Sequence, residues 1–452
     1  MSSSLRIGFV PLGRSTFDTA LAAQVTAEVR QALTAAGCTL IGPDALVLDA
    51  AAAQAATAAL GGQPLDLLLV FQATFADSTM AVGLAQAVDA PLLLWAVPEE
   101  RSGGRLRLNS LCGINLAAHG LARSRLRYDY VYAAPQDPGA LEKTLTLARA
   151  GRVRRLLKTA RLGRVGEHPL GFEPCSYDSD ALAARLGVQI VERDLAGFFA
   201  DVRSLSPDET LPVLAGLKQR VAGLDALDQR ALGGTLGVYL ALQRLAEGEN
   251  LDGLAVRCWP EFFTELGCAA CGAMSLLSDA LTPCSCEADV NGTITQLILQ
   301  WLSGGQAFGT DLVGVDVDRD EAVIWHCGLA PLAMADPTVQ PRGTIHSNRK
   351  LPLLMEFPLK PGRVTIARLT QSGDGAYRLV IGGGEMLAAP MSFTGTSGVL
   401  RFDRPARDVL DTIMREGLDH HISLTYGNYT DELRALAGML ELPVLELTRK
   451  EA

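Results

Sequence analysis

The sequence predicts an α/β protein in which two tandem doubly wound α/β domains precede a β-rich, barrel-like C-terminal domain. Short apolar runs alternate with helical patterns through the first third of the chain, and the middle repeats this alternation. After about residue 305, Val, Thr, Gly and Asp become more frequent and apolar residues alternate as in hairpins. The chain has 452 residues, of which 48% are hydrophobic, enough for two or three separate cores.

The first α/β domain is expected over residues 1–162. Between its first two strands, apolar residues recur at every fourth position from Phe17 to Leu33, which predicts one helix and a strand–helix–strand unit. The basic stretch Arg152–Arg164 is interpreted as the solvated face of a helix at the domain boundary. The predicted strands are Leu5–Val10, Leu67–Phe71, Pro91–Val97 and Val131–Ala134.

The second α/β domain is expected over 163–304 and the β-rich domain over 305–452. Long Ala/Leu helices between Pro212 and Glu247 separate the two strands predicted in the second domain. The glycine run Gly382–Gly384 is interpreted as a turn, and Thr430 is expected to cap a closing helix. The predicted strands are Val188–Val191, Gly253–Arg257, Leu312–Val317, Ala322–Trp325, Leu353–Phe357, Val364–Leu369, Tyr377–Ile381 and Val399–Phe402.

Composition and missing motifs exclude several classes of function. Forty Lys and Arg against fifty Asp and Glu give a net charge of −10, the wrong sign for binding nucleic acid or an anionic membrane. No leader or long apolar segment is visible, so a cytoplasmic location is expected. The phosphate loop GxxxxGK[ST] and the nucleophile elbow GxSxG are both absent, which argues against ATP-dependent and serine-nucleophile enzymes.

The nine cysteines are expected to be thiols or metal ligands and not a disulfide framework. Cys268-x2-Cys271 and Cys284-x-Cys286 could supply four thiolates to a structural zinc ion. The alternative is that they are small buried hydrophobic side chains.

Acids and histidines of the last 170 residues form the candidate site. Glu287 precedes an apolar helical stripe, where the helix dipole favours its ionised form, although Glu287 or Asp289 could simply cap that helix. Asp311 enters a predicted strand and could be an ordinary loop acid. Of His420 and His421, at most one is expected to point into the site, because adjacent strand residues face opposite sides.

Four segments carry a resemblance to a known family: CEADVNG, FGTDLVGVD, IWHCG and HHISLTYGNYTDEL resemble, in order and spacing, the metal-site segments of the L-fucose/L-arabinose isomerase superfamily. The resemblance implies an aldose–ketose isomerase that works through an enediol. It implies that Glu287, Asp311 and His421 bind one Mn²⁺, with Co²⁺ or Mg²⁺ as substitutes. Glu287 and Asp311 would also transfer protons. His326 matches a further histidine of the arabinose isomerase branch, or it is a satisfied core residue.

Other residues are linked to the substrate less directly. The loops around Arg14 and around Gln72 and Thr74 resemble family loops that reach substrate, often from a neighbouring subunit. The resemblance therefore implies a homo-oligomer, a trimer or hexamer, with shared active sites. Glu261 follows a predicted strand, at the usual mouth of an α/β crevice, where it touches either substrate or solvent.

Two alternatives remain open from the sequence. Tandem α/β domains also occur in non-catalytic sugar-binding proteins, and the same enediol chemistry serves lyases and epimerases. The sequence does not name the sugar, which could be L-fucose, D-arabinose, L-arabinose or a modified hexose such as a sulfonated sugar.

Overall fold

The computed structural model describes residues 4–373 and 375–449, and its chain divides into two compact units between Leu156 and Leu157. The predicted boundary between a second and a third domain, at residues 304 and 305, stays a prediction. The first unit alternates strands and helices: β1 (Arg6–Leu12), α1 (Thr19–Ala35), β2 (Thr39–Ile41), α2 (Ala50–Leu60), β3 (Leu67–Gln72), α3 (Ser78–Ala87), β4 (Leu92–Ala96), α4 (Ser110–Arg123), β5 (Asp129–Tyr132) and α5 (Pro138–Leu157).

The strands of the first unit form one parallel sheet in the order β2-β1-β3-β4-β5. Every residue of β3 and β4 is buried. Strands of a parallel sheet that is covered on both faces read as continuous apolar runs, and this explains why the sequence revealed them. The predicted α/β architecture is confirmed here.

The second unit begins with another parallel sheet, in the order β7-β6-β8-β9. It is formed by β6 (Arg161–Val165), α6 (Ser179–Leu186), β7 (Gln189–Arg193), α7 (Leu195–Ser204), α8 (Pro207–Lys218), α9 (Gln229–Glu249), β8 (Gly253–Val256), α10 (Cys271–Asp279), β9 (Cys284–Ser285) and α11 (Val290–Ser303).

The rest of the second unit contains a closed six-stranded barrel. The barrel runs β16-β11-β10-β17-β14-β15 and closes where β15 pairs with β16. The predicted β-rich, barrel-like region is therefore confirmed. Its elements are β10 (Phe308–Asp316), β11 (Glu321–His326), β12 (Arg342–Ile345), β13 (Pro352–Pro358), β14 (Gly362–Gln371), β15 (Tyr377–Leu387), β16 (Thr396–Phe402), α12 (Ala406–Glu416), β17 (His421–Tyr426), α13 (Thr430–Leu440) and β18 (Val444–Glu446).

The glycine run Gly382–Gly384 lies inside β15, so its interpretation as a turn is wrong. Gly383 pairs with a residue of β14, and Gly384 pairs with Phe402 of β16. A Cβ atom on Gly384 would lie 2.4 Å from the carbonyl oxygen of Arg401. The run therefore permits the close approach of backbones at which the barrel closes.

The basic stretch Arg152–Arg164 is not one helix, and that prediction is also wrong. Its first part ends α5 and its last part forms β6. The guanidinium groups of Arg152 and Arg155 lie 3.3 Å and 2.7 Å from the fully buried carboxylate of Asp66. These charges therefore neutralise a buried acid instead of covering a solvated face.

Helix α11 joins the two layers of the second unit. The hydroxyl of Thr293 donates to the carbonyl of Leu254 in β8, at 3.0 Å, and the hydroxyl of Thr295 accepts the backbone N–H of Leu369 in β14, at 2.9 Å. Helix α11 is buried along nearly its whole length although it carries several polar side chains, and its buried hydroxyls are satisfied by these hydrogen bonds. In the described part of the chain, no helix combines the length and apolarity that crossing a bilayer requires.

Candidate metal centre

Asp311 and His421 face each other across two strands of the barrel. They are directly paired in the antiparallel ladder of β10 and β17. Directly opposed residues project from the same face of a sheet. The Oδ1 atom of Asp311 lies 3.6 Å from the Nε2 atom of His421.

Glu287 reaches the same imidazole nitrogen from the loop between β9 and α11. Its Oε2 atom lies 3.5 Å from Nε2 of His421. Glu287 and Ala288 have φ angles of 58° and 54°, and the N–H of Ala288 donates to the carbonyl of Val256 at 3.0 Å. A non-glycine residue in the left-handed region costs about 1–2 kcal/mol, so surrounding contacts hold this loop in a conformation that aims Glu287 at His421.

The donors around His421 fit a divalent cation. The Oδ1 atom of Asp311 is buried without a hydrogen-bond partner among the described residues. Two carboxylates and an imidazole form a mixed oxygen and nitrogen donor set of the kind that binds divalent cations. Three groups that could hold a metal share His421: Cys286 with His326, Cys175 with Glu287, and Asp311 with His420. Glu287 and Asp311 thus belong to overlapping groups and not to one closed cluster.

A buried hydrogen bond fixes the orientation of His421. The Nδ1 atom of His421 lies 2.9 Å from Oδ2 of Asp289, which leaves Nε2 facing Glu287 and Asp311. Asp289 also caps α11, because its Oδ1 accepts the N–H of Gly292 at 2.8 Å. The capping alternative is therefore correct for Asp289, which in addition contacts a candidate ligand.

The charge of Asp289 is balanced by Arg368, a residue that sequence reasoning missed. The guanidinium of Arg368 lies 2.6 Å from Asp289 and 3.1 Å from Asp419, and all three side chains are almost fully buried. Burial alone would raise the pKa of Asp289, but the charge of Arg368 and the hydrogen bond with His421 hold that pKa far below its usual value. A basic residue within a largely apolar strand was the only available signal, since its partners lie 79 and 51 positions away.

Both neighbouring histidines contact Glu287, so the expectation that only one reaches the site is wrong. His420 is half-exposed and precedes β17, where strand alternation does not apply, and its Nε2 lies 3.4 Å from Oε2 of Glu287. The indole N–H of Trp259 donates to Oε1 of Glu287 at 3.1 Å. Burial raises the pKa of Glu287, but His420, His421 and Trp259 together outweigh it and lower the pKa below its usual value.

His326 is held by cysteines at the end of β11. Its Nδ1 accepts the backbone N–H of Cys327 at 2.9 Å, and its Nε2 lies 3.0 Å from Sγ of Cys286. Cys271 contacts Cys327 at 3.2 Å. Cys268, Cys271, Cys284 and Cys286, the four candidate zinc ligands, do not come together as one metal-binding group among the described residues. Cys271 contacts Cys327 and Cys286 contacts His326 instead.

Glu261 forms a bidentate ion pair with Arg257. Both oxygen–nitrogen distances are 2.9 Å. The hydrogen bond from Arg257 lowers the pKa of Glu261 and outweighs the effect of partial burial. The carboxylate of Glu261 is therefore ionised, and Arg257 is its partner within the protein.

The remaining predicted residues lie in the first unit, at the carboxyl end of its parallel sheet. The hydroxyl of Thr74 accepts the backbone N–H of Arg14 at 2.9 Å, and the Arg14 guanidinium lies 3.4 Å from Asp77. Gln72, at the end of β3, is fully buried, and neither atom of its amide group has a hydrogen-bond partner in the described residues. Arg14 and Thr74 are thus brought together.

Comparison with known proteins covers nearly the whole chain. Residues 8–158 match the fucose/sulfoquinovose isomerase N-terminal domain, and residues 355–448 match the L-fucose isomerase C-terminal domain. A sulfoquinovose isomerase from Priestia aryabhattai is 33% identical over 436 residues, 96% of this chain and 97% of that protein. Sulfoquinovose isomerases from Alkalicoccus urumqiensis and Clostridium sp. are 32% and 31% identical, over 98% and 83% of this chain and 99% and 85% of theirs.

Asp289→Asn is expected to weaken Mn²⁺ binding about 10–100-fold, because a partner that orients a ligating histidine contributes that much to metal affinity. Asparagine can still cap α11, so the helix is retained. Titration calorimetry of the metal-free protein measures the change. The matched control is Asp228→Asn at the exposed cap of α9, which should leave affinity unchanged. Equal affinities of the two variants would contradict the role of Asp289.

Proposed function

We propose that the substrate of this protein is sulfoquinovose. The chain belongs to the fucose/sulfoquinovose isomerase family and is therefore an aldose–ketose isomerase that acts on a small sugar. Sulfoquinovose is glucose with a sulfonate in place of the C6 hydroxyl, and its product would be the corresponding 6-sulfo ketose. The observation that carries the proposal is the similarity to sulfoquinovose isomerases over 96% and 98% of this chain. A non-catalytic sugar-binding protein is accordingly no longer an alternative.

The proposed metal ligands are Glu287, Asp311 and His421, and the proposed ion is Mn²⁺, with Co²⁺ or Mg²⁺ as substitutes. Members of this family are metal-dependent, and the unpartnered Oδ1 of Asp311 beside His421 supports these ligands. When bound, the cation would act as a Lewis acid on the two substrate oxygens and stabilise the negative charge of the enediolate.

The carboxylates of Glu287 and Asp311 would exchange the protons. Isomerisation removes the hydrogen from C2 of the aldose, returns a proton to C1, and moves a proton between the two oxygens. Glu287 suits the role of base because the Trp259 N–H and two histidines favour its ionised form. His420, half-exposed beside Glu287, is placed to exchange protons between that carboxylate and solvent.

Glu287→Gln and Asp311→Asn are each expected to lower turnover by about 10³-fold or more, because each removes a proton acceptor and a charged ligand at constant volume. Turnover is measured with saturating Mn²⁺, and circular dichroism checks the fold. Asp316→Asn, at an exposed position of the same strand as Asp311, should retain wild-type turnover. Near-wild-type turnover of Glu287→Gln or Asp311→Asn would refute the assignment of that residue.

The substrate is tested with free aldoses in the presence of Mn²⁺. We expect NMR to show interconversion of sulfoquinovose with its ketose and no loss of carbon, together with loss of activity on chelation and recovery on adding Mn²⁺. Comparison with L-fucose, L-arabinose and D-arabinose ranks the sugars by kcat/KM. A higher value for one of these neutral sugars would refute sulfoquinovose as substrate. A product epimerised or cleaved instead of isomerised would identify a related enediolate enzyme.

We also propose a cytoplasmic homo-oligomer, a trimer or hexamer, in which Arg14, Gln72 and Thr74 of one subunit contact substrate in a neighbour. The support is that the proposed metal ligands all follow position 280, whereas these residues lie in the first unit. His326 and Glu261 are proposed to contact substrate from the second unit, His326 through the ring edge beside Cys286 and Glu261 as part of its pair with Arg257.

Shared sites are tested by mixing Arg14→Ala protein with Glu287→Gln protein under conditions of subunit exchange. Each variant is expected to be inactive alone, and random exchange should restore about a quarter of wild-type activity, because one site in four receives both intact halves. Exchange is verified by mass spectrometry of differently labelled subunits. Verified exchange without recovery, or a monomer by light scattering, would contradict shared sites.

A further inference from the structure

An exposed arginine, Arg349, is held against aromatic rings in the turn between β12 and β13. Its guanidinium carbon lies 4.9 Å from the ring centre of Trp259 and 5.1 Å from that of Phe263. Cation–π contacts of this kind attract the guanidinium to the ring faces and so restrict its motion. Arg349 is therefore pre-positioned although it is exposed to solvent.

Trp259 connects this arginine to the candidate metal centre. One edge of the indole donates its N–H to Glu287, at 3.1 Å, while Arg349 lies over the ring. Phe172 packs edge-on against Trp259, with ring centres 5.4 Å apart, and also against His420, at 6.0 Å. The same indole ring thus contacts both the Arg349 guanidinium and a proposed metal ligand, which places Arg349 beside the candidate site.

The charge of Arg349 is not balanced by any acid within residues 4–373 and 375–449. Other arginines near the site are paired, Arg257 with Glu261 and Arg368 with Asp289. The imidazole of His346 lies 3.5 Å from the Arg349 guanidinium. Burial first, and then the charge of Arg349, lower the pKa of His346 to about 4, so His346 is neutral near pH 7.

An oriented guanidinium without an acidic partner is suited to bind an oxyanion. Its planar fork can donate two parallel N–H bonds to two oxygens of one sulfonate. The surrounding site carries several carboxylates, which repel an anionic substrate. A sulfonated sugar therefore needs a cation at the end of the molecule away from its carbonyl.

We propose that Arg349, stacked on Trp259 and Phe263, binds the C6 sulfonate of the substrate and gives the enzyme its preference for a sulfonated over a neutral sugar. This inference rests on the proposed function. Lys350 is adjacent and exposed, but no aromatic contact of its side chain is present in the described residues. Arg349 is accordingly the specificity-determining residue of the pair.

The test compares two substrates that differ only at C6. Quinovose, 6-deoxyglucose, has a methyl group where sulfoquinovose has a sulfonate-bearing carbon. We expect Arg349→Met to lower the ratio of kcat/KM for sulfoquinovose to kcat/KM for quinovose by about 100-fold, because bound substrate would cover the guanidinium and truncating one partner of a buried, hydrogen-bonded charge pair has effects of that size or larger. Arg349→Lys keeps the charge but loses the planar fork, and it should lower the ratio by about 10-fold.

Controls separate sulfonate binding from other effects. Arg407→Met removes the same charge from an exposed position outside the site and should leave the ratio unchanged. For wild type, added salt should raise KM for sulfoquinovose more than KM for quinovose, since salt screens the attraction between the exposed guanidinium of the free enzyme and an approaching sulfonate. This difference should disappear in Arg349→Met.

Each outcome has a distinct meaning. If kcat/KM falls equally for both sugars, Arg349 only supports Trp259 and Glu287, and the inference is overturned. An unchanged ratio in Arg349→Met also overturns it. If wild-type enzyme isomerises neutral sugars but not sulfoquinovose, the proposed function itself is what fails. A higher activity on glucose 6-phosphate than on sulfoquinovose would mean that Arg349 binds a phosphate and not a sulfonate.

Discussion

The buried ion pair between Arg368 and Asp289 is the interaction on which the geometry of the site depends. Arg368 lies on barrel strand β14, Asp289 caps α11, and Asp419 precedes β17, so one charge connects three elements. Removing Arg368 would leave two buried carboxylates without a counter-ion, at a cost of about 3–5 kcal/mol. Because Asp289 also binds Nδ1 of His421, this ion pair determines which ring nitrogen faces the carboxylates.

Strand register and a strained loop supply the other constraints. Asp311 and His421 meet because β10 and β17 pair in one register, and a slip of one residue would turn one of them to the opposite face. Glu287 belongs to no strand, and its positive φ is the means by which the chain turns from β9 into α11 and still presents the carboxylate inward. The site thus combines Asp311 and His421, which are fixed by their strands, with Glu287, whose strained backbone conformation is held by surrounding contacts.

The sequence predicted the features that depend on a local pattern of residues. It did not predict the features that depend on contacts between residues far apart in the chain. Continuous apolar runs such as Leu67–Phe71 revealed the parallel sheets, and the motif around Glu287 revealed the helix that follows it. The partner of Arg368 could not be found, because its carboxylates are distant in the chain and a lone arginine in a strand is typical of a solvated face. The prediction for Gly382–Gly384 was wrong because a run of glycines usually indicates a turn. Here the glycines lie in a strand, where the absence of side chains lets two backbones approach closely at the point of barrel closure.

Charge balance explains why a metal-dependent isomerase of this architecture would need Arg349. Arg368 lies between two carboxylates, Asp289 and Asp419, so its single positive charge is not available to a substrate. Glu287 and Asp311 together carry two negative charges, which a divalent cation would neutralise. A neutral sugar could then enter without further compensation, but a sulfonate is ionised at every physiological pH and would bring one additional negative charge. The guanidinium held over the face of Trp259 would provide the matching positive charge, while the N–H of the same indole donates to Glu287.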